Sequence, residues 1–419
     1  MGHTSTRTLL LSLILTSVSS FPSQASEGWI GKRVVLIYGT ILKSGENEHP
    51  KQSLTGMTKQ WSPIYQVKQT DGPWLWLVPE WGDTQGWTKA SAVIPIDQAI
   101  EYYTREIQAD PASSSAYLDR ATIWFDKQEY DKAIADDTEA IRLEPTSELA
   151  YLNRVRDWWC KKEFDKALTD VNEAIRLDPR SAPAYQARAS VWAAKKEYDK
   201  AIADYDKAIQ LDPKFIRAYN GRAILWREMK ELDKTIADLT KVIQLDPKNP
   251  ESYGNRALSW RQIKDYDRAI ADLNMEIELD PKSAWAYERR ACVWLEKKDD
   301  DKAITDLTKA VELDPKNPSS YSLRALVWWR AKDYDKAITD FTMEIELDPK
   351  SALAHERRAR VWYEKKDYDK TIADATEAIK LGAGSSAFWI RGRAWAGKNE
   401  MDKANADYAE CIRLKPRSS

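Results

Sequence analysis

From residue 97 onward, apolar and small residues recur three and four positions apart, the spacing that gathers them on one side of a helix. One phrase, roughly D-K-A-I-A-D-x-x-x-A-I-x-L-D-P, starts at Asp97, Asp131, Asp165, Asp199, Asp233, Asp267, Asp301, Asp335, Asp369 and Asp402. The step is 34 residues except for the last, which is 33. A helix-rich period of this length predicts a solenoid, in which each unit buries its apolar face only against its neighbours. Residues 180–213 illustrate the packing. Tyr185, Ala189 and Trp192 fall on one face of a first helix, and Ala201, Tyr205 and Ala208 on one face of a second. The Ala residues allow close approach and the aromatics fill the space that remains. Pro213 ends the second helix, because proline cannot continue the hydrogen-bond ladder. Ser181, Asn249 and Asn317 then offer N-cap oxygens, with Pro250 and Pro318 at the first helical position after the Asn.

Residues 27–95 follow a different pattern, with short β-like runs at 32–38, 64–67, 74–78 and 86–88. Asp71-Gly72-Pro73 and Gly82-Asp83 mark turns between them. Trp29, Trp61, Trp74, Trp76, Trp81 and Trp87 crowd this stretch. The run from Gly86-Trp87 to Val93-Ile94-Pro95 resembles the closing strands of bacterial SH3-like domains. That resemblance implies a small all-β barrel at 27–95 with its own recognition surface for peptides or cell-wall material. Alternatively its Trp residues are simply the filling of a small barrel.

The helical units resemble the tetratricopeptide repeat (TPR) family, with two antiparallel helices in each. The repeats divide as 112–145, 146–179, 180–213, 214–247, 248–281, 282–315, 316–349, 350–383 and 384–416, nine in all over 112–416, with 97–111 as a capping helix. The resemblance implies a mainly α chain: a right-handed α-α superhelical solenoid that offers a concave groove to protein ligands. Lys162, Lys196, Lys230, Lys264, Lys298, Lys332 and Lys366 stand in the inter-helix turn where the family usually has Gly. A Lys there suits the negative end of a helix dipole. The last unit is one residue short near Gly382-Ala383-Gly384 and lacks a Pro at 383, so a local irregularity is expected there. No polar closing helix follows it, so self-association through an uncapped C-terminal end is one expectation.

Two further regularities bear on electrostatics. Arg120, Arg154, Arg188, Arg222, Arg256, Arg290, Arg324, Arg358 and Arg391 recur on first helices, and Asp136, Asp170, Asp204, Asp238, Asp272, Asp306, Asp340, Asp374 and Asp407 on second helices. Bidentate pairing within or between units is expected of them; a ladder of free Arg reading a phosphate polymer is the alternative. Residues 248–302 and 316–370 also match each other at an offset of 68. There Glu276 and Glu344 replace a packing Ala, and an extra Arg follows at Arg289 and Arg357. Glu276 is expected to pair with Arg289 or Arg290, and Glu344 with Arg357 or Arg358.

Of the Trp residues in the array, Trp124, Trp158, Trp192, Trp226, Trp260, Trp294, Trp328, Trp362 and Trp395 share one packing position. Trp159, Trp285, Trp329 and Trp389 are extra and fall at first-helix positions that line the groove in this family. Arg156, Arg217, Arg227, Arg261, Arg330, Arg360 and Arg393 fall at similar positions, and Asn220 adds an amide. An aromatic, Arg-rich groove suits an extended peptide with carboxylate groups. Glu251, Glu288 and Glu356 at groove positions leave the charge preference open. Alternatively the extra Trp residues bury against the neighbouring unit.

Charge narrows the reading further. Lys plus Arg number 64 against 66 Asp plus Glu, a balance that argues against a dedicated nucleic-acid binder. Arg7, an apolar run over 9–18, and the small residues Ser23 and Ala25 resemble an export signal over 1–25, implying a periplasmic or secreted protein. The apolar run is short for a membrane span. Cys160, Cys292 and Cys411 are too few and too scattered for a disulfide framework and read as packing residues. His355 stands where other units carry Tyr, and His49 has no metal-site spacing around it. Neither a phosphate-binding loop nor a nucleophile elbow is present, so no enzymatic activity, cofactor or metal is expected. The leading expectation is an exported, non-enzymatic scaffold for peptide or protein ligands. A glycan-binding envelope protein and a self-assembling spacer are the alternatives.

Overall fold

The computed structural model describes residues 26–36, 64–71, 74–80 and 85–414. The expected export signal over 1–25, His49, Trp61, Trp81, the turn at Gly82-Asp83 and the last two residues of the final unit lie outside them. The chain divides into two compact units, residues 1–213 and 214–419.

The first unit opens on an antiparallel sheet: β1 (Arg33–Leu36), β2 (Ile64–Asp71), β3 (Trp74–Pro79), β4 (Gly86–Lys89) and β5 (Val93–Pro95), in the order β4-β3-β2-β1-β5. β2 runs beyond the expected end at Val67. A register shift between Val67 and Gln69 takes up the irregularity, and pairing with β3 continues to Asp71. Successive side chains point to opposite faces, and here both faces are buried. Val35, Ile64 and Ile94 meet Ala99, Tyr103 and Ile123 of the following helices. Val34, Tyr65, Val67, Leu75, Leu77 and Val93 form a second cluster. Trp76 and Trp87 are buried edge-to-face at 5.5 Å, whereas Trp29 and Trp74 are half-buried.

The first unit continues through α1 (Ile96–Ala109), α2 (Ser114–Asp126), α3 (Tyr130–Leu143), α4 (Glu148–Cys160), α5 (Phe164–Leu177), α6 (Ala182–Ala194) and α7 (Tyr198–Leu211). The second holds α8 (Ile216–Glu228), α9 (Leu232–Leu245), α10 (Pro250–Gln262), α11 (Tyr266–Leu279), α12 (Ala284–Glu296), α13 (Asp300–Leu313), α14 (Pro318–Arg330), α15 (Tyr334–Leu347), α16 (Ala352–Glu364), α17 (Tyr368–Lys380), α18 (Ser385–Gly397) and α19 (Met401–Leu414). Helices pack pairwise in sequence order, first helix on second and each pair on the next, which makes each unit a solenoid. α1 docks on β1, β5 and α2. Arg33 of β1 fastens the sheet to the array by donating to Glu80 at 2.5 and 2.7 Å and to Asp126 of α2 at 2.5 and 3.0 Å.

Helix ends follow the sequence signals with one exception, Asn249. Ser181 accepts from the Ala184 N–H at 3.1 Å and Asn317 from the Ser319 N–H at 3.0 Å. Asn249 makes no such side-chain bond, so its helix start relies on Pro250 alone. The inter-helix Lys residues take left-handed backbone, with φ running from 60° at Lys162 to 65° at Lys264. At Lys196 this closes a Schellman turn: Lys196 N–H reaches Ala193 O and Glu197 N–H reaches Trp192 O, both at 2.9 Å. Charge complementarity at the helix end is therefore accompanied by backbone strain that Gly would not carry. Near 382 the expected irregularity is present. α17 is one residue shorter than its counterparts, Gly382 has φ 94°, and Gly384 caps α18 with no side chain.

Candidate functional site: the outward face of the first helices

Two ladders hold the first helices in place. In every pair the Arg donates Nε and Nη2 to the two oxygens of the Asp 16 residues on, as Arg188 does to Asp204 at 2.8 Å and Arg324 to Asp340 at 2.8 Å. The other pairs are Arg120–Asp136, Arg154–Asp170, Arg222–Asp238, Arg256–Asp272, Arg290–Asp306, Arg358–Asp374 and Arg391–Asp407. The carboxylates are buried, and hydrogen bonding to them raises the Arg188 and Arg324 pKa values above the ordinary guanidinium range. The third nitrogen reaches back to the preceding pair: Arg154 Nη1 to Thr138, Arg188 to Asn172, Arg290 to Asn274, Arg358 to Thr342. Arg154, Arg188, Arg290 and Arg358 thus each tie three helices together, their donors filled by the fold rather than offered to a phosphate polymer.

The second ladder was not foreseen. The repeated Trp residues are half-buried, and each lies under a cation from the second helix of its own pair. Lys370 sits 4.1 Å from the Trp362 ring, Lys200 4.6 Å from Trp192, and Arg268 4.8 Å from Trp260. The Lys of D-K-A-I is the signal that could have revealed it.

The extra aromatics behave differently. In the first unit Trp159 of α4 is 44% exposed, and on the same helix Arg156 stacks over Phe125 of α2 at 3.7 Å. In the second unit Trp285 is 58% exposed and Trp389 50%. Trp285 lies against the Arg289 guanidinium at 5.3 Å, and Trp389 against Tyr408 at 5.2 Å. Trp329 differs from them: it is half-buried against the cluster of Phe341 and Val361, so it serves packing as well. Arg217 is exposed, while Asn220 and Arg227 are half-buried.

Several candidate cations meet acids of the array itself. Arg261 donates to Glu296 at 2.6 and 2.8 Å, Arg330 holds Asp300, and Arg360 reaches Glu356 at 2.5 Å. Arg393 stacks on Tyr363 at 4.4 Å. A carboxylate ligand would have to displace these contacts. Glu288 and Glu356 are buried and turn to the start of the next first helix: Glu288 accepts from Asn317 at 2.9 Å and from Ser320, and Glu356 from Ser386 at 2.7 Å. Glu251 remains exposed.

The twin blocks resolve into two solutions. Glu276 pairs with Arg289 at 3.0 Å, leaving Arg290 to Asp306. Burial raises the Glu276 pKa while Arg289 opposes the shift. The pair fills the space beside Gly254, where an added Cβ would lie 2.0 Å from the Arg289 Nη1, so a side chain there would displace the guanidinium. The expected direct pair of Glu344 is replaced. Arg357 donates to Ser322 at 2.6 Å, Arg358 belongs to Asp374, and Glu344 meets the Ser322 hydroxyl instead. Ser322 occupies the position of Gly254 and its hydroxyl bridges the two charges.

One buried pair was missed altogether. Asp137 of α3 and Asp157 of α4 sit in the core, fully shielded from solvent. The repeat itself carried the signal: the residues 34 further on are Val171 and Val191.

No helix of the described residues is long and apolar enough to cross a membrane. Residues 189–227 match the family model described as TPR repeat, and residues 96–148 and 290–352 match that described as tetratricopeptide repeat. No curated relative matches the chain. Among solved structures, the C-terminal part of a TPR repeat-containing protein from Cytophaga hutchinsonii is 18% identical, with 57% of this chain and 97% of that one covered and a TM-score of 0.49. A tetratricopeptide repeat protein from Parabacteroides merdae is 19% identical over 59% of this chain and 98% of that one, with a TM-score of 0.43. YrrB, described as a TPR protein with an unusual peptide-binding site, is 20% identical over 47% of this chain and 97% of its own, with a TM-score of 0.38. The helix pairs that follow the sheet have the fold of a TPR solenoid, and residues 96–148, 189–227 and 290–352 match the tetratricopeptide repeat itself.

Proposed function

We propose that the protein is a non-enzymatic scaffold that holds extended protein segments against the outward face of its first helices. The observation that carries this reading is the contrast between two sets of Trp. The repeated indoles are half-buried under a cation, whereas Trp159, Trp285 and Trp389 are 44%, 58% and 50% exposed. Indole surface left in water is costly and is enriched where partners bind. In the second unit one equivalent position carries Arg217, Glu251, Trp285, Ser319 and Leu353 in turn. A face that varies while its scaffold repeats is suited to reading a sequence. Since Arg261, Arg330 and Arg360 already hold carboxylates, the ligand recognised is one with apolar and aromatic anchors rather than a purely acidic one. The apolar run at 9–18 supports export, and the half-buried Trp29 and Trp74 support a second recognition surface on an SH3-like sheet.

The test is selection of peptides from a random library against the full chain, followed by calorimetry. Peptides selected on the intact protein are expected to bind at least about tenfold more weakly to the Trp285→Ala variant, the loss typical of a hot spot. Equal affinity for that variant and for Trp159→Ala and Trp389→Ala would reject the face as the site.

A further inference from the structure

Where one helix pair meets the next, a residue of the second helix faces a residue of the following first helix. At the α5–α6 joint these are Val171 and Val191, in one apolar cluster. In the second unit they are Leu239 with Ser259, whose hydroxyl turns to the Asn255 carbonyl, then Leu273 with Val293, Leu307 with Val327, and Phe341 with Val361. At the α3–α4 joint the same two positions carry Asp137 and Asp157, each 0% exposed. Neither Asp137 oxygen has a partner, and neither does Asp157 Oδ2. Asp157 Oδ1 has only a long contact of 3.4 Å from Arg156. Two carboxylates in contact have no hydrogen between them. A single proton converts that contact into a hydrogen bond and removes one buried charge.

We propose that the α3–α4 joint is a proton-operated hinge, closed while Asp137 and Asp157 share a proton and loosened when that proton leaves. The proton resides on Asp137, since Asp157 has Arg156 beside it and Asp137 has no cation of its own. The surrounding groups do not replace it. On α3, Asp136 is held by Arg120 of α2, and Tyr130 bonds the Cys160 thiol of α4. On α4, Arg154 is held by Asp170 of α5. Of the α2 acids, Asp126 is held by Arg33 and Asp119 lies near Tyr102 and Tyr103 of α1, and the one charge on α6, Arg188, is held by Asp204. Arg156 is the remaining cation, and its guanidinium lies over the Phe125 ring. α4 also carries the exposed Trp159, so the hinge sets how that helix is presented.

Burial raises both carboxyls, Asp157 to about 6 and Asp137 well above the ordinary carboxylate range. Folded pKa values above the unfolded ones mean that the folded joint binds the extra proton. Its contribution is complete at acid pH, below the unfolded carboxylate range, and is lost as pH rises through the folded values. The joint is therefore firmest in acid and weakens as pH rises, coming fully loose only above the raised value of Asp137, which holds the last proton.

The test is amide hydrogen exchange on the full chain between pH 5 and 9, corrected for the intrinsic exchange rate and compared helix by helix. Protection of α3 and α4 is expected to fall by up to about tenfold per pH unit once the shared proton is being lost, while α6 stays level. Asp137→Asn, which keeps a hydrogen-bond donor but no ionisable proton, is expected to flatten that slope. The double variant Asp137→Leu, Asp157→Val, with apolar residues as at the Leu273–Val293 and Leu307–Val327 joints, is expected to flatten it as well and gives the same reading if the Asn variant fails to fold. Carboxyl carbon NMR is expected to find one protonated Asp side chain at neutral pH that Asp137→Asn removes. Equal pH slopes in α4 and α6, a wild-type slope in the folded variants, or ordinary carboxylate titration of both residues would overturn the hinge.

Discussion

The second helices of the array are nearly uniform, whereas the outward positions of the first helices change from one pair to the next. Ala133, Ala167, Ala201, Ala269, Ala303 and Ala337 are all fully buried at one second-helix position. The ladder Asp follows each of them three residues later, and it too is buried in every pair. A second helix is touched by its own first helix and by the next, so each inward position is fixed from two sides. One outward position of the first helices stays exposed from α8 to α16. Arg217, Glu251, Trp285, Ser319 and Leu353 therefore share one position without altering the fold. Uniformity follows contact, and freedom follows exposure.

Breaking the uniform side is expected to have the largest effect. Arg324→Ala leaves Asp340 buried with its bidentate partner gone, and a loss of about 3–5 kcal/mol is expected in urea unfolding. Removing the exception within the core is expected to act in the opposite direction. Asp137→Leu with Asp157→Val is expected to raise stability by about 2 kcal/mol or more at pH 8, with a smaller gain at pH 5, below the value of about 6 to which burial raises Asp157, where the folded pair binds a further proton. Lys196→Gly relieves left-handed strain while keeping the Schellman turn, and a gain of up to about 1 kcal/mol should appear as a higher melting temperature. On the free side, Trp285→Ala is expected to change stability by no more than about 0.5 kcal/mol while weakening peptide binding.

How much was legible in the sequence follows the same division. Periodicity gave the helix pairs, and the fixed spacing of Arg and Asp gave their bidentate ladder, because repetition multiplies a weak local signal. The Glu276–Arg289 pair was legible because an Ala-to-Glu change and a new Arg arrive together. The Ser322 bridge was not, since it depends on a hydroxyl replacing Gly254 and not on charge. The exposure of Trp159 and Trp285, in contrast to the half-burial of Trp329, depends on how neighbouring side chains lean, which spacing alone does not encode. Asp137 and Asp157 were not legible from periodicity, because a residue that departs in one unit carries no repeated signal. Glu288 and Glu356 sit at groove positions by spacing, yet they turn to the next helix start, where Asn317, Ser320 and Ser386 supply donors.

The central claim is that the unrepeated indoles bind and the repeated ones build. A direct comparison is peptide affinity and thermal unfolding, measured side by side for two triple variants. One carries Trp159, Trp285 and Trp389 changed to Ala, the other Trp192, Trp294 and Trp362. The expected result is that the first keeps its melting temperature and loses affinity by about tenfold or more, while the second loses several kcal/mol of stability. Undiminished affinity in the first variant, or a fall in its stability to match the second, would contradict the claim.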